Sequence, residues 1–212
     1  MTNMKKAFLN KLLLATSSIG LLASMEISAA DVVVRNGYIS TTGNMGWVSN
    51  NGVQNVPANN DNIILTQGRQ IINFDNNLNI GNINLYGYNN AEFRISDSNP
   101  TRVVSINNIV NVNNNQVQAA VQNALGMPHG YSGNNNAKVD IVINSYNNTG
   151  ADLTITGNDI SAVNSIQMVR GGAKLIFQNA VTVNAEIYST VATRGAVVVN
   201  DDIIFKKSIG KD

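Results

Sequence analysis

The chain has 212 residues, of which 43% are hydrophobic, 6% aromatic and 13% charged, and its formal net charge is +1. This balance lacks the concentrated positive charge by which proteins attract phosphates, so nucleic acid is not expected as a partner. The chain has no cysteine. Disulfides, thiolate nucleophiles, iron–sulfur clusters and cysteine-type zinc sites are therefore excluded.

The first thirty residues are typical of a secretory leader. Three lysines lie within residues 5–11, residues 12–23 are almost all apolar or small, and residues 28–30 are small. This order predicts a signal peptide over 1–30, with a core too short to remain as a membrane anchor. An uncleaved anchor helix is the alternative. Cleavage after Ala30 would leave a mature chain with 11 basic and 12 acidic residues, without a transmembrane segment.

The mature chain is predicted to begin with an N-terminal cap over 31–60, followed by a single domain over 61–212. Residues 32–34 are three consecutive valines and predict a strand. Residues 38–60 are rich in glycine, asparagine and serine, which favour turns and irregular structure. Trp47 lies within this segment, and we expect it to cover the first strands of the domain.

Short apolar segments that alternate with polar residues follow, and this period of two predicts β-strands. Gly81-Asn82 and residues 87–90 separate some of these segments, because glycine and asparagine favour turns. The predicted strands are 62–66, 70–74, 78–80, 83–85, 91–95, 103–106 and 109–112.

One segment departs from the strand pattern. Residues 116–125 carry four apolar residues at helical spacing, which predicts a short amphipathic helix with Asn115 as N-cap and Gly126 at the C′ position. A strand is predicted again at 139–143. No strand is followed by a helix of crossover length, so a fold built of β–α–β units is not expected.

A repeat follows in the last third of the chain. Gly150-Ala151-Asp152-Leu153-Thr154-Ile155 recurs as Gly172-Ala173-Lys174-Leu175-Ile176-Phe177 and, more loosely, as Gly195-Ala196-Val197-Val198-Val199. The three segments are almost evenly spaced along the chain. Repeats of this length bury their apolar faces by stacking on one another. The predicted fold class is all-β, a parallel β-helix with about 20–23 residues per coil. Further strands are predicted within 160–169, 181–187 and 203–205.

The repeat alignment makes three further predictions. Five apolar residues should face the interior: Leu153, Ile155, Leu175, Phe177 and Val198. Asp152 and Lys174 occupy matching positions and should form a weak surface ion pair, worth at most about 1 kcal/mol. The last repeat should be the most exposed part of the domain, because nothing after residues 203–205 is predicted to cover it.

Asparagine is unusually abundant, with 37 residues against only 8 lysines. Asparagine tolerates turn conformations, and stacked asparagine side chains form hydrogen-bonded ladders between adjacent strands. Both properties suit a chain that turns repeatedly at equivalent positions. The frequent valine and isoleucine residues disfavour the alternative of a disordered chain.

Few residues suggest catalysis or metal binding. His129 is the only histidine, and with Ser132 it lies in a predicted loop. The acidic residues of the second half could serve a glycan-cleaving enzyme or bind calcium, but only Asp201 and Asp202 are adjacent. Residues 147–149 match a glycosylation acceptor but are expected to form a turn. We therefore predict no catalytic, cofactor-binding or metal-binding residues and no enzymatic activity.

The repeats resemble the passenger regions of rickettsial surface cell antigens, which include outer membrane protein B. The resemblance is carried by residues 153–158, 171–175 and 197–201, and extends over about 60–205. It implies an exported, adhesive or structural β-helical protein at the bacterial surface that contacts a host-cell protein or glycan. Passengers of that family precede a translocator barrel that this sequence lacks. The alternatives are therefore a remnant of a split gene, retained in the periplasm without a translocator, or a glycan-active enzyme.

Overall fold

A computed structural model of the chain describes residues 30–34, 38–43, 46–49, 56–66, 70–86, 91–96, 101–112, 114–126, 136–143, 150–169, 172–190 and 195–210. These residues form sixteen strands and one helix. The predicted leader, except Ala30, lies outside them, as do His129, Ser132 and residues 147–149.

The strands are short and follow the predicted apolar segments. In chain order the elements are β1 (Asp31–Val34), β2 (Tyr38–Ser40), β3 (Trp47–Val48), β4 (Asn62–Leu65), β5 (Ile71–Phe74), β6 (Leu78–Leu85), β7 (Ala91–Ile95), β8 (Arg102–Asn111), α1 (Asn115–Leu125), β9 (Val139–Ile143), β10 (Ala151–Ile155), β11 (Val163–Met168), β12 (Ala173–Phe177), β13 (Val181–Val183), β14 (Glu186–Ser189), β15 (Ala196–Val199) and β16 (Ile203–Phe205).

The strands form three sheets. The eight-stranded sheet has the order β15-β12-β10-β8-β6-β4-β1-β3, the six-stranded sheet has the order β14-β11-β9-β7-β5-β2, and β13 pairs with β16. Every strand pair is parallel except β1 with β3. The described chain is therefore all-β with predominantly parallel sheets. The helix does not connect neighbouring strands of a β–α–β unit.

Paired residues of neighbouring strands are separated by similar lengths of chain. Ile63 pairs with Ile83, and Leu153 pairs with Leu175. The step from β8 to β10 is more than twice as long, because it contains α1 and its flanking segments in addition to β9. Successive strands of a sheet are thus added one after another as the chain returns to it.

The main core lies between the sheets and is built from alternate residues of the strands. β7 and β9 have buried residues at every second position, as the period of two requires. Two edge-to-face aromatic contacts lie along this core, Phe74 with Phe93 at 6.0 Å and Phe177 with Phe205 at 5.9 Å between ring centroids. The rings of residues on different strands therefore pack directly on each other.

Four of the five predicted interior residues are confirmed, and the fifth is wrong. Leu153, Ile155, Leu175 and Phe177 are fully buried, whereas Val198 is 36% exposed. Lys174 pairs with Ala196 and Leu175 pairs with Val197, so the third repeat is shifted by one position relative to the glycine-based alignment. Such a shift moves every side chain to the opposite face of a strand. Val197 is the residue of this repeat that packs against the core.

The helix covers the outside of the first strands. Asn114, and not the predicted Asn115, is the N-cap, since its side chain accepts a hydrogen bond from the backbone N–H of Val117. Gly126 ends the helix at φ 64°, as predicted. Val117 and Val121 join a second apolar cluster that includes Val33, Val48, Ile64 and Tyr86. A helix from the middle of the chain thus buries apolar residues of β1 and β4 that face away from the main core.

A ladder of asparagines joins successive strands where the chain bends. The backbone N–H of Asn82 donates to Oδ1 of Asn62 at 2.8 Å, and Nδ2 of Asn108 donates to Oδ1 of Asn82 at 3.0 Å. Oδ1 of Asn108 accepts from the backbone N–H groups of Asn158 and Asp159 at 3.2 and 3.0 Å. The expected hydrogen bond between stacked asparagine side chains is present between Asn82 and Asn108, and the other contacts of the ladder join an asparagine side chain to a backbone N–H.

Glycine is required where backbones approach closely beside this ladder. A Cβ atom on Gly157 would lie 2.2 Å from the carbonyl oxygen of Asn107, and one on Gly81 would lie 2.7 Å from Oδ1 of Asn62. Any side chain would therefore force neighbouring strands apart at these bends.

Several predicted boundaries differ in the structure. The segments 78–80 and 83–85 are one strand, as are 103–106 and 109–112, because parallel pairing with neighbours continues through the bend. Conversely, 181–187 contains two strands that belong to different sheets. In the predicted cap, β1 and β2 extend the two large sheets, and the buried Trp47 lies on β3 beside β1.

Candidate binding cleft

A cleft of about 560 Å³ lies on the outer face of the six-stranded sheet, across β9, β11 and β14. It is lined by Asp140, Asn164, Ser165, Glu186, Ile187, Tyr188, Ser208 and Gly210. Residues from three neighbouring strands and from the segment after β16 therefore converge on one surface.

Strand register aligns the two acidic residues of the cleft along one row that runs across the strands. Asp140 pairs with Ser165, and Ser165 pairs with Glu186. Neighbouring strands lie about 4.8 Å apart, so the backbones of Asp140 and Glu186 are about 10 Å apart. The flanking Ile141 and Ile187 are buried in the core, and alternation directs the acidic residues to the outside.

Local hydrogen bonds hold the first carboxylate. Oδ1 of Asp140 accepts from Nδ2 of Asn164 at 2.9 Å and from Oγ of Ser165 at 2.6 Å. Asn164 is able to reach it because the register shifts between Val163 and Ser165, which leaves Asn164 as an extra residue in β11. Such bulges redirect a side chain relative to a regular strand. Two hydrogen bonds therefore hold the Asp140 carboxylate in place at the cleft.

The opposite side of the cleft combines charge with an aromatic ring. Glu186 is exposed, and the half-buried Tyr188 lies two positions further along β14 on the same face. Gly210 donates its backbone N–H to the carbonyl of Ile187 at 2.7 Å, which holds the segment 208–210 against β14. The cleft thus offers carboxylate, amide and hydroxyl groups beside one phenol ring.

The structure disperses the acidic residues considered from the sequence. Asp140 lies in the cleft, Asp159 lies beside the asparagine ladder, and Asp201 accepts from the backbone N–H of Ala180 at 3.2 Å. Among the described residues, no group of three or more histidine, aspartate or glutamate residues is able to hold a metal ion.

Asp152 lies on the eight-stranded sheet, away from the cleft. It pairs in register with Lys174, as the repeat predicts. The predicted ion pair is not formed, since among the described residues the only oppositely charged contact within 4.0 Å joins Arg94 to Glu92. Oδ1 of Asp152 is buried without a hydrogen-bond donor. Burial raises the pKa of this carboxyl, and the charge of Lys174 partly offsets that effect.

The sequence pattern alone does not single out Glu186, Tyr188 or the bulged Asn164. The alternation of Glu186 and Tyr188 is a usable signal, but it is hidden when residues 181–187 are interpreted as one strand. The bulge could not be predicted from the sequence, because a bulge exists only relative to the residues of the partner strand.

Comparison with known proteins identifies no relative of this chain: no family model, no curated protein and no solved structure matches it. In the part of the chain that the structure describes, no helix has the length and apolar character needed to cross a membrane.

Proposed function

We propose that the chain forms a parallel β-helix with three sides to each coil. The observation that carries this proposal is the pairing of three consecutive segments with the next three. β12 pairs with β15, β13 pairs with β16, and Ile187 on β14 bridges Ile209, with the same offset in residue number each time. Three equal offsets in succession are expected when one coil stacks on another.

This β-helix is proposed to be an exported, non-enzymatic protein of the bacterial surface or the extracellular space. The leader-like residues 1–30 and the resemblance to rickettsial surface antigens support export. The cysteine-free sequence is compatible with passage through an oxidising compartment, since it forms no disulfides there. Retention in the periplasm is the alternative location.

The proposed role is adhesion, with the cleft as the contact site and a glycan as the ligand. Carboxylates such as Asp140 and Glu186 accept hydrogen bonds from sugar hydroxyls, and the amide of Asn164 both donates and accepts. The ring of Tyr188 offers an apolar surface for the C–H face of a sugar. A few positioned polar groups beside an aromatic residue are typical of ligand clefts.

Glycan-array binding and adherence of protein-coated beads to host cells test this role. The wild-type protein should bind a limited set of glycans and mediate adherence. Glu186→Gln and Tyr188→Ala should reduce both by about tenfold, the loss expected for one contact of about 1.4 kcal/mol. Lys174→Gln, on the eight-stranded sheet, is the control and should bind normally. Absence of any glycan or cell binding would favour a nonfunctional passenger remnant.

The two carboxylates also make a glycan-active enzyme the second candidate. Strand register places Asp140 and Glu186 two strands apart on one face of the sheet, and glycoside hydrolysis uses a pair of carboxyl groups that flank the scissile bond. Incubation of the protein with the glycans it retains distinguishes the candidates. If the wild type releases reducing ends and Asp140→Asn does not, the function of the cleft is hydrolysis and not adhesion.

A further inference from the structure

Strand β16 has an open edge. It pairs with β13 on one side, and no described residue pairs with its other side. The backbone N–H of Lys206 donates to the carbonyl of Val183 at 2.9 Å. The backbone N–H and C=O groups of successive residues in a strand point to opposite edges. Those of Ile203 and Phe205 therefore face the open side. This edge is a template for another strand.

Exposed apolar residues concentrate around this edge. Among the described residues, five large hydrophobic side chains are exposed, and four of them lie on or beside the last strands. These four are Val198, Val199, Ile204 and Ile209, of which Ile204 is 60% exposed. Exposed apolar residues that gather at one end of a molecule mark an interaction surface.

The sequence of this edge is complementary to itself. Residues 201–207 read Asp-Asp-Ile-Ile-Phe-Lys-Lys. Reversal about Ile204 exchanges Asp202 with Lys206 and Asp201 with Lys207. A second copy of the same strand, laid antiparallel, therefore brings opposite charges together at both ends. A parallel copy would bring like charges together.

We propose that two copies of this chain associate through β16, antiparallel and with Ile204 on the two-fold axis. Ile203 of each copy and Phe205 of the other then exchange both backbone hydrogen bonds, as directly opposed residues of an antiparallel pair do. Asp202 lies opposite Lys206 of the second copy on the outer face, twice in the dimer. A two-fold axis requires this kind of self-complementary surface.

At the opposite end, the described strands cover the edge of the eight-stranded sheet, whereas β2 ends the six-stranded sheet. The outer edge of β1 is already paired with β3, and Trp47 on β3 is buried and donates Nε1–H to the carbonyl of Ser40 at 2.8 Å. A head-to-tail stack would have to displace this strand. Association of like ends through β16 requires no such displacement.

Sedimentation velocity of the purified chain over a concentration series tests the proposal. The wild type should dimerise. Asp202→Lys should raise the dissociation constant by at least about tenfold, because it places two lysine pairs in contact across the axis. The double variant Asp202→Lys/Lys206→Asp restores opposite charges and should dimerise as the wild type does. Thr182→Lys, one strand away from the edge on β13, is the charge control and should leave dimerisation unchanged.

A disulfide cross-link tests the register without dependence on charge. The chain has no cysteine, so Ile204→Cys introduces one thiol, and in the dimer two thiols meet across the axis at a distance a disulfide can span. Mild oxidation should cross-link Ile204→Cys quantitatively and leave Thr182→Cys without a covalent cross-link, with circular dichroism confirming that both variants are folded. A wild type that stays monomeric at every concentration, or a double variant that does not recover, would overturn the proposal.

Discussion

The middle of the strand stack and its last strands carry similar sequences in different surroundings. β10 and β12 have a neighbour on each side, and Leu153 and Leu175 are fully buried. β15 has a neighbour on one side, and Val199 is 47% exposed. Apolar strand composition is thus not sufficient for burial, because each strand also depends on the next one to cover it.

Hydrogen exchange should give the largest contrast between the two regions. Amides of residues 196–205 should exchange much faster than those of 151–177, because opening of an edge strand breaks fewer contacts than opening of a central one. The measurement should use the monomeric Asp202→Lys variant, since self-association would protect β16. Equal protection in both regions would contradict the view that the last strands are poorly covered.

Truncation of matched apolar residues should separate the regions in free energy of unfolding. Leu175→Ala removes a fully buried side chain and should cost about 2–5 kcal/mol. Val198→Ala, on the neighbouring strand, should change the stability by no more than about 0.5 kcal/mol. Denaturant titration measures both. A large loss for Val198→Ala would support the original glycine-based alignment, in which this residue faces the core.

The middle of the strand stack and its last strands can also be compared through the loss of an asparagine side chain in each. Asn108→Ala removes the acceptor of the Asn158 and Asp159 backbone N–H groups and should cost about 1–3 kcal/mol. Asn200→Ala, at the exposed bend after β15, should be nearly neutral. Similar thermal unfolding midpoints for the two variants would mean that water replaces the side chain of Asn108 without cost.

The smallest expected effect concerns pH and Asp152. Since burial raises the pKa of this carboxyl in the folded chain above its ordinary value of 3.8, the folded state binds the proton more tightly than the unfolded state. Stability should therefore fall as the pH rises through the interval between these two pKa values, and stay lower above it. Asp152→Asn should unfold at a higher temperature than the wild type at neutral pH.

The difference between Asp152→Asn and the wild type should shrink as the pH falls below this interval, because the wild-type carboxyl is then neutral as well. An Asp152→Asn variant that is less stable than the wild type at neutral pH would contradict the assignment of a desolvation cost to this residue.

The sequence predicted much of the local structure for identifiable reasons. The strands at 139–143 and 151–155 follow from the alternation of apolar and polar residues, and the helix end at Gly126 follows from the left-handed conformation that glycine adopts. The in-register pairing of Asp152 with Lys174 followed from the repeat. The strands and the helix end depend on residues that are close together in the chain, and the pairing depends on a repeat that is visible in it.

The sequence by itself therefore determined the approximate position of most strands, the inward face of β10 and β12, and the abundance of asparagine for hydrogen bonds between successive strands. Tertiary structure decided which strands meet, because pairing partners such as Ser105 and Thr154 lie far apart in the chain. That pairing moved Val198 to the surface, formed the bulge at Asn164 and brought Asp140, Glu186 and Tyr188 to one cleft. A contact between strands depends on register, and register is a property of two segments that neither segment specifies alone.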